Sequence, residues 1–333
     1  MTEDKTPDET ITASEDDAGL RLDQFLARYI EDASRSLLKT VIKDQHVTVN
    51  GQTIKRPSRK MNSGDVVTVI LPPPPISHLV PEDIPLDVLF EDDDILIINK
   101  PSGLVVHPAP GHYTGTLVQA VLHHCPNFES PSGDLSGYGV DPMRPGIVHR
   151  LDRYTSGVMV VGKTQVGFSH LSKQAREHTF DRHYLALVRD EFEEDSGVIN
   201  APIGRSLSQR GKMAVTSVKG KDAITHFQVI ERYGVASLIK LRLDTGRTHQ
   251  IRVHARFAGR PILGDPLYGV TDYSKWDITP ELRVALKALE GQALHAELLG
   301  IEHPIIGERI THTAPPPEDF NKVLELLRAR IRT

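Results

Sequence analysis

Asp152 has the surroundings best suited to chemistry in this chain. It lies in the run His149-Arg150-Leu151-Asp152-Arg153-Tyr154-Thr155-Ser156-Gly157, beside two guanidinium groups and close to an imidazole. A carboxylate held near guanidinium groups stays ionised, and one shielded from water can act as a nucleophile or base at a carbon centre. An Asp–Arg ion pair that merely ties two segments together has the same signature, so spacing alone leaves both readings open. Two more polar clusters follow. His183-Tyr184-Leu185-Ala186-Leu187-Val188 reads as a strand whose tyrosine could face the first cluster. Thr245-Gly246-Arg247-Thr248-His249-Gln250-Ile251-Arg252-Val253-His254 is dense in bases just after another strand.

General-purpose motifs fit less well. Gly157-x-x-x-x-Gly162-Lys163-Thr164 matches the phosphate-loop pattern, but its interior is Val158-Met159-Val160-Val161, a better strand than loop. A His149, Asp152 and Ser156 triad lacks the G-x-S-x-G elbow. His123-His124-Cys125-Pro126 lacks the glutamate and second cysteine of a zinc deaminase, and His249 and His254 have no glutamate between them. No metal site is expected. The acidic run Glu91-Asp92-Asp93-Asp94 reads as a solvated turn before a strand.

The elements that must position these clusters are short. Val88–Phe90, Ile95–Ile98, Gly157–Val161, His183–Val188 and Leu238–Leu243 read as strands, and Thr116–His124 and Gln165–His178 as helices. Residues 130–145, rich in Gly, Pro, Ser and Asp, read as a long loop just ahead of Asp152. Many strands and few helices in irregular order argue for an α+β class with a mixed, largely antiparallel sheet. After Pro315-Pro316-Pro317, Phe320, Val323, Leu324, Leu327 and Ile331 fall on one face of a closing helix that packs on the core.

Upstream lies a smaller α/β unit. Leu22, Phe25, Leu26 and Tyr29 recur at helical spacing, then Ser34 reads as an N-cap for a second helix through Leu37, Leu38, Val41 and Ile42. His46 to Val49 runs as a strand into the hairpin turn Asn50-Gly51, and Val66 to Leu71 alternates as a last strand. Prolines 72–75, with Pro81 and Pro85, mark a semi-rigid linker. The expected organisation is an acidic disordered tail over 1–18, a small domain over 19–75, a linker over 76–86 and a catalytic domain over 87–333.

The chain has 333 residues, 39% apolar and 25% charged, with a formal net charge of -5 and one cysteine, Cys125. The composition is that of a globular protein, and the single cysteine fits a reducing cytoplasm. No apolar run approaches a membrane span, and the acidic N-terminus does not read as a signal peptide. The negative net charge conceals an uneven distribution. Residues 1–18 carry seven acids and one base, whereas residues 19–78 carry nine bases and five acids. Arg35, Lys39, Lys43, Lys55, Arg56, Arg59 and Lys60 cluster on the second helix and the hairpin after it.

The series R-L-D-x-F-L, S-R-S-x-L-x-x-x-I and V-x-V-N-G over about residues 19–75 resembles the S4-type RNA-binding domain, which implies phosphate contacts with structured RNA. H-R-L-D-x-x-T-S-G, then Y-x-A-x-V, then G-R-T-H-Q-I-R-V-H resemble the RluA family of RNA pseudouridine synthases. Ile98-Asn99-Lys100-Pro101-Ser102-Gly103-Leu104, Val106-His107-Pro108, Gly264-Asp265-Pro266-Leu267-Tyr268-Gly269 and Leu294-His295-Ala296 extend the match. The resemblance implies a pseudouridine-synthase fold and isomerisation of uridine without cofactor or metal, the C1′–N1 bond breaking and a C1′–C5 bond forming. It makes Asp152 the essential aspartate, leaving open attack at C1′, attack at C6 or removal of the C2′ proton. By the same resemblance Tyr184 stacks on the flipped base and helps remove the C5 proton, and Arg252 pairs with Asp152. Arg150 fills the space the nucleotide vacates, and Leu294 lines the uracil pocket. Arg153, Arg247 and His249 join the RNA contacts. Glu177 and Asp181, in a stretch that is more basic in the family, put RNA contacts over 176–182 in doubt. The arrangement implies a cytoplasmic monomer acting on large-subunit ribosomal RNA, free or in a pre-ribosomal particle. A transfer-RNA synthase and an assembly factor with dispensable catalysis are the alternatives.

Overall fold

The computed structural model describes residues 8–30, 35–70, 79–108, 112–128, 144–206 and 212–331. They belong to two compact units, with the chain passing from one to the other after Val80. Ser34, the Arg35 side chain, prolines 72–75 and most of the 130–145 loop lie outside the described residues.

The first unit comprises β1 (Asp8–Thr12), α1 (Leu22–Tyr29), α2 (Arg35–Lys43), β2 (Val47–Val49), β3 (Gln52–Thr53) and β4 (Val66–Ile70). Its antiparallel sheet runs in the order β1-β4-β2-β3. Asn50 and Gly51 turn β2 into β3 with φ of 52° and 78°, the double positive φ that a two-residue hairpin needs. Leu22, Phe25, Leu26, Leu38, Val41 and Ile42 bury one side of the helices against Val47, Val49, Val67 and Val69. Each such side chain contributes about 1.5–3 kcal/mol over leaving it exposed.

The expected disorder over 1–18 is corrected for the residues that are described. β1 pairs with β4 from Asp8↔Ile70 to Thr12↔Val66, and Ala13 joins the core. Asp17 is fully buried, accepting from the Tyr29 hydroxyl at 2.6 Å and Arg28 at 3.0 Å. The Tyr29 bond is the main reason its carboxyl falls to about 2. Tyr29 is thus bound to Asp17 through its hydroxyl and remains 41% exposed, not a core residue of α1.

The second unit contains β5 (Val88–Glu91), β6 (Ile95–Lys100), α3 (Leu117–His124), β7 (Ser156–Gly162), α4 (Gln165–Glu177) and β8 (Asp181–Arg189). It continues through β9 (Ser196–Asn200), β10 (Ile203–Arg205), β11 (Met213–Val215), β12 (Ile224–Arg232), β13 (Ala236–Leu243) and α5 (Gln250–Phe257). α6 (Pro280–Ala288), β14 (Leu294–Glu302), β15 (Arg309–Thr313) and α7 (Glu318–Arg330) complete it. Nine strands form one sheet, β5-β6-β7-β14-β8-β13-β12-β9, with β15 beside β14. β7 and β14 run parallel, and the other pairings are antiparallel. β10 and β11 make a separate hairpin.

β6 and β7 read as continuous apolar runs because both faces of the sheet are covered. Leu96, Ile98, Met159 and Val161 join one core cluster; Ile95, Ile97, Val158 and Val160 join another with Leu171 of α4. This disposes of the phosphate-loop pattern. Val158 to Val161 are strand residues, and Lys163 Nζ donates to Glu91 at 2.7 Å and to the Asp92 carbonyl at 2.6 Å. The acidic run is not a merely solvated turn either. Glu91 binds Lys163 and His124, while Asp92 accepts from the Asp94 and Ile95 amides and pairs with His303. Glu91, His124 and Cys125 bring potential metal ligands within 4.8 Å of one another, but the Lys163 ammonium already sits on Glu91 and burial pushes the Cys125 thiol up. On α7, Phe320, Val323, Leu324 and Leu327 are buried as expected, whereas Ile331 lies past the helix end and is 55% exposed.

Candidate active site

Three elements of the second unit deliver the polar clusters to one place. The loop before β7 carries Asp152, the middle of β8 carries Tyr184, and α5 carries Arg252. β14 lies between β7 and β8, pairing Ala296 with both Gly157 and Tyr184. Gly157 has φ 115°, and a Cβ there would stand 2.2 Å from the Ala296 carbonyl. Glycine lets the two backbones meet at the point where the Asp152 loop enters the sheet.

Asp152 accepts from Arg252 Nη1 at 2.8 Å and is only 17% exposed. The other edge of the same guanidinium is gripped by Asp265, through Nε at 2.7 Å and Nη2 at 2.8 Å. Such a fork-to-carboxylate pair fixes orientation as well as charge. Asp265 is fully buried and also accepts from the Leu267 and Tyr268 amides. Burial works against both ions, but their mutual hydrogen bonds overcome it. Arg252 is held more firmly protonated than a free guanidinium, and the Asp265 carboxyl falls below its ordinary range. The Tyr268 ring lies 5.0 Å from the Arg252 guanidinium carbon.

His249 adopts a left-handed backbone (φ 57°) at the start of α5. Tyr268 Oη accepts from the Met213 amide at 2.9 Å and is hydrogen-bonded with His249 Nδ1 at 2.8 Å. With the phenol proton aimed at Nδ1, the imidazole proton resides on Nε2, 3.8 Å from Asp152. Burial keeps His249 neutral by lowering its pKa, against the pull of Asp152. Tyr184 is buried in the wall of the same pocket. Burial, with a contribution from Asp152, raises its pKa and holds the phenol neutral.

The floor of the Asp152 loop is fixed by residues whose roles were not read from the sequence. Lys100 is fully buried and donates to the carbonyls of Pro101 (2.7 Å), Leu104 (3.0 Å) and Arg153 (3.0 Å). Burial drags its pKa to about 7, yet three acceptors match an ammonium's three protons, and Asp152 and Glu290 favour the charge. Gln292 donates to Thr155 Oγ1 at 3.0 Å, and Ser156 bonds His295. His149 accepts from the Val160 amide, and burial takes it down to about 3. With His149 bonded to Val160 and Ser156 to His295, the two form no serine triad. The resulting cavity is about 220 Å³ and includes Asp152, Tyr184, Arg252 and Leu294 in its lining.

A sequence profile of the RNA pseudouridylate synthase family matches residues 94–257, and one of the S4 domain matches residues 20–67. An uncharacterized RNA pseudouridine synthase of Bacillus subtilis is 44% identical over 319 residues, 96% of this chain and 97% of its own length. The chain belongs to the RNA pseudouridine synthase family.

The synthase is also 40% identical to ribosomal large subunit pseudouridine synthase D of Escherichia coli K12, covering 96% of this chain and 94% of that one. The solved human RNA pseudouridylate synthase domain containing 4 is 25% identical with a TM-score of 0.54, covering 73% of this chain and 93% of that one. The α+β fold and the S4-type domain are those the residues suggested.

Of the expected RNA-contact residues, Arg150, Arg247 and His249 line the synthase pocket. Arg153 does not. Its guanidinium turns to the Gly103 carbonyl at 3.2 Å and to His112 at 3.3 Å. In the S4-type domain Lys43, Lys55 and Arg56 are exposed. Arg59 is engaged with Asp65, Lys60 with the Gly19 carbonyl, and Lys39 lies 3.8 Å from Asp23.

Proposed function

We propose that this synthase converts specific uridines of large-subunit ribosomal RNA to pseudouridine, with Asp152 as its essential group. The observation that carries the reading is the Asp152–Arg252–Asp265 relay beside Tyr184 in one small cavity. Two carboxylates around one guanidinium hold Asp152 aimed, because the second carboxylate fixes the orientation of its partner. The reaction breaks C1′–N1, turns the uracil and joins C5 to C1′; the C5 proton leaves and N1 regains one. Asp152 takes the first step as nucleophile or base. Tyr184, neutral and buried, serves as a stacking wall and proton relay rather than a standing base.

A pocket of about 220 Å³ admits a nucleotide turned out of its stack. Arg150, exposed at the rim, is placed to occupy the space left behind. Lys43, Lys55 and Arg56 of the S4-type domain supply phosphate contacts, so affinity falls with added salt. The ribosomal target follows from relatives named for that RNA at about 40% identity over nearly the full chain. No helix among the described residues is long and apolar enough to cross a membrane. The same reading sets the synthase in the cytoplasm as a monomer, acting on the RNA or a pre-ribosomal particle.

The test is pseudouridine mapping in ribosomal and transfer RNA from a strain lacking the gene. Loss of sites in large-subunit ribosomal RNA, restored by the wild-type chain and not by Asp152→Ala, supports the proposal. Loss confined to transfer RNA, or restoration by Asp152→Ala, refutes it.

A further inference from the structure

Arg182 stands two residues before Tyr184 on β8, so both side chains leave the same face of the sheet. Both line the catalytic cavity. Its Nε and Nη2 are buried, and neither has a hydrogen-bond partner among the described residues. These two atoms form one edge of the guanidinium fork, the same edge with which Arg252 grips the Asp265 carboxylate. In Arg182 no described residue accepts from that edge.

The surroundings explain why the protein does not fill it. Asp152, the one carboxylate in the cavity lining, is taken by Arg252. Asp181, adjacent in sequence, is bound to His183 at 2.9 Å. The remaining charged neighbours in the lining, Arg150 and Arg247, are cations themselves. Space has been kept for the guanidinium, since a Cβ on Gly246 would come within 2.9 Å of Arg182 Nη1. A buried charged donor without an acceptor is costly, so this edge suits an acceptor that a ligand supplies.

We infer that Arg182 is the phosphate clamp of the catalytic pocket, taking two oxygens of a phosphodiester that flanks the reacting uridine. A phosphodiester offers paired anionic oxygens that match the fork. A uracil carbonyl offers one oxygen, and would leave half of the edge empty. The acidic neighbours Glu177 and Asp181 therefore do not remove RNA contact from this stretch; one base, facing inward, suffices. The inference rests on the pocket being the seat of the uridine.

The experiment is steady-state pseudouridine formation on an in vitro transcript of large-subunit ribosomal RNA, repeated over a range of salt, for wild type, Arg182→Gln and Arg182→Lys. Arg182→Gln is expected to raise KM about tenfold or more, with kcat and its pH profile little changed. Its log–log salt dependence becomes shallower by about 0.7–0.9, the loss of one phosphate contact. Arg182→Lys keeps the charge and loses the fork, so it keeps the salt slope but not the wild-type KM. A fall in kcat with a shifted pH profile, at unchanged KM and salt slope, makes Arg182 a partner of Tyr184 instead and overturns the inference. Unaltered kinetics in Arg182→Gln does the same. Should Arg182→Gln not fold, a wild-type KM in Arg182→Lys refutes the fork. A wild-type protein inactive on this transcript would count against the proposed target, not against Arg182.

Discussion

Asp265→Asn is the substitution that most sharply separates a positioned Arg252 from an incidental one. The change keeps the shape and one acceptor oxygen, which can still take the Leu267 and Tyr268 amides. It places an NH2 group against a guanidinium that at present donates at 2.7 and 2.8 Å. Breaking a buried ion pair costs roughly 3–5 kcal/mol. Arg252 retains Asp152 as a counter-charge, so the lower end, about 3 kcal/mol, is expected. Trp276, the only tryptophan, packs against Tyr273 in the catalytic unit and reports its unfolding in urea. The cost depends on pH. Because the folded Asp265 carboxyl lies below its ordinary 3.8, its contribution is complete above that value and is lost as pH falls through the lower folded value. The gap between wild type and variant should therefore be full at pH 7 and shrink below pH 4. Activity at pH 7 should fall at least tenfold because Arg252 is no longer fixed. A variant within 1 kcal/mol of wild type at pH 7, with unchanged turnover, refutes the relay.

Gly157→Ala should abolish folding of the catalytic unit, since its Cβ meets the Ala296 carbonyl at 2.2 Å in a backbone conformation with φ 115°; a soluble variant with native Trp276 fluorescence would show that β7 and β14 can separate cheaply. Tyr29→Phe removes the main hydrogen bond that holds Asp17 at about 2. That carboxylate's contribution to stability is present above pH 3.8 and lost as pH falls through about 2, so the variant should show weaker amide-exchange protection in α1 at pH 7 and little difference at pH 2. Equal protection at pH 7 would contradict the Asp17 assignment. Joint neutralisation of Lys43, Lys55 and Arg56 to Gln should weaken transcript binding and flatten its salt dependence by about 0.7–0.9 per lost contact, leaving kcat unchanged. An unaltered salt slope in a filter-binding titration would place RNA elsewhere.

Much of the site was legible because its residues sit in short, dense runs. Asp152, Tyr184 and Arg252 were each visible within a cluster, and the order of clusters suggested one pocket. Asp265 was visible only as part of a Gly-Asp-Pro-Leu-Tyr-Gly turn. Its function depends on that turn folding back onto α5 thirteen residues away, which no local period reports. Lys100 was hidden for a similar reason, since its carbonyl partner at residue 153 belongs to a distant loop. Arg153 is the converse case, because adjacency to Asp152 in sequence does not put its side chain in the same pocket. In the N-terminal segment, acidity masked the alternation of Ile11 and Ala13 that seats β1 on β4. Charge composition describes what a segment repels, while a single buried edge strand needs only a few apolar contacts and a partner ladder.

The proposed chemistry depends on the carboxylate of Asp152. Tritium release from a large-subunit ribosomal RNA transcript labelled at uridine C5, measured in a single turnover with Asp152→Asn, tests it most directly. Asparagine retains an acceptor for Arg252 Nη1, so fold and RNA affinity should match wild type. The expected rate is at least about a thousandfold lower. Release within tenfold of wild type, at equal RNA occupancy, would contradict it.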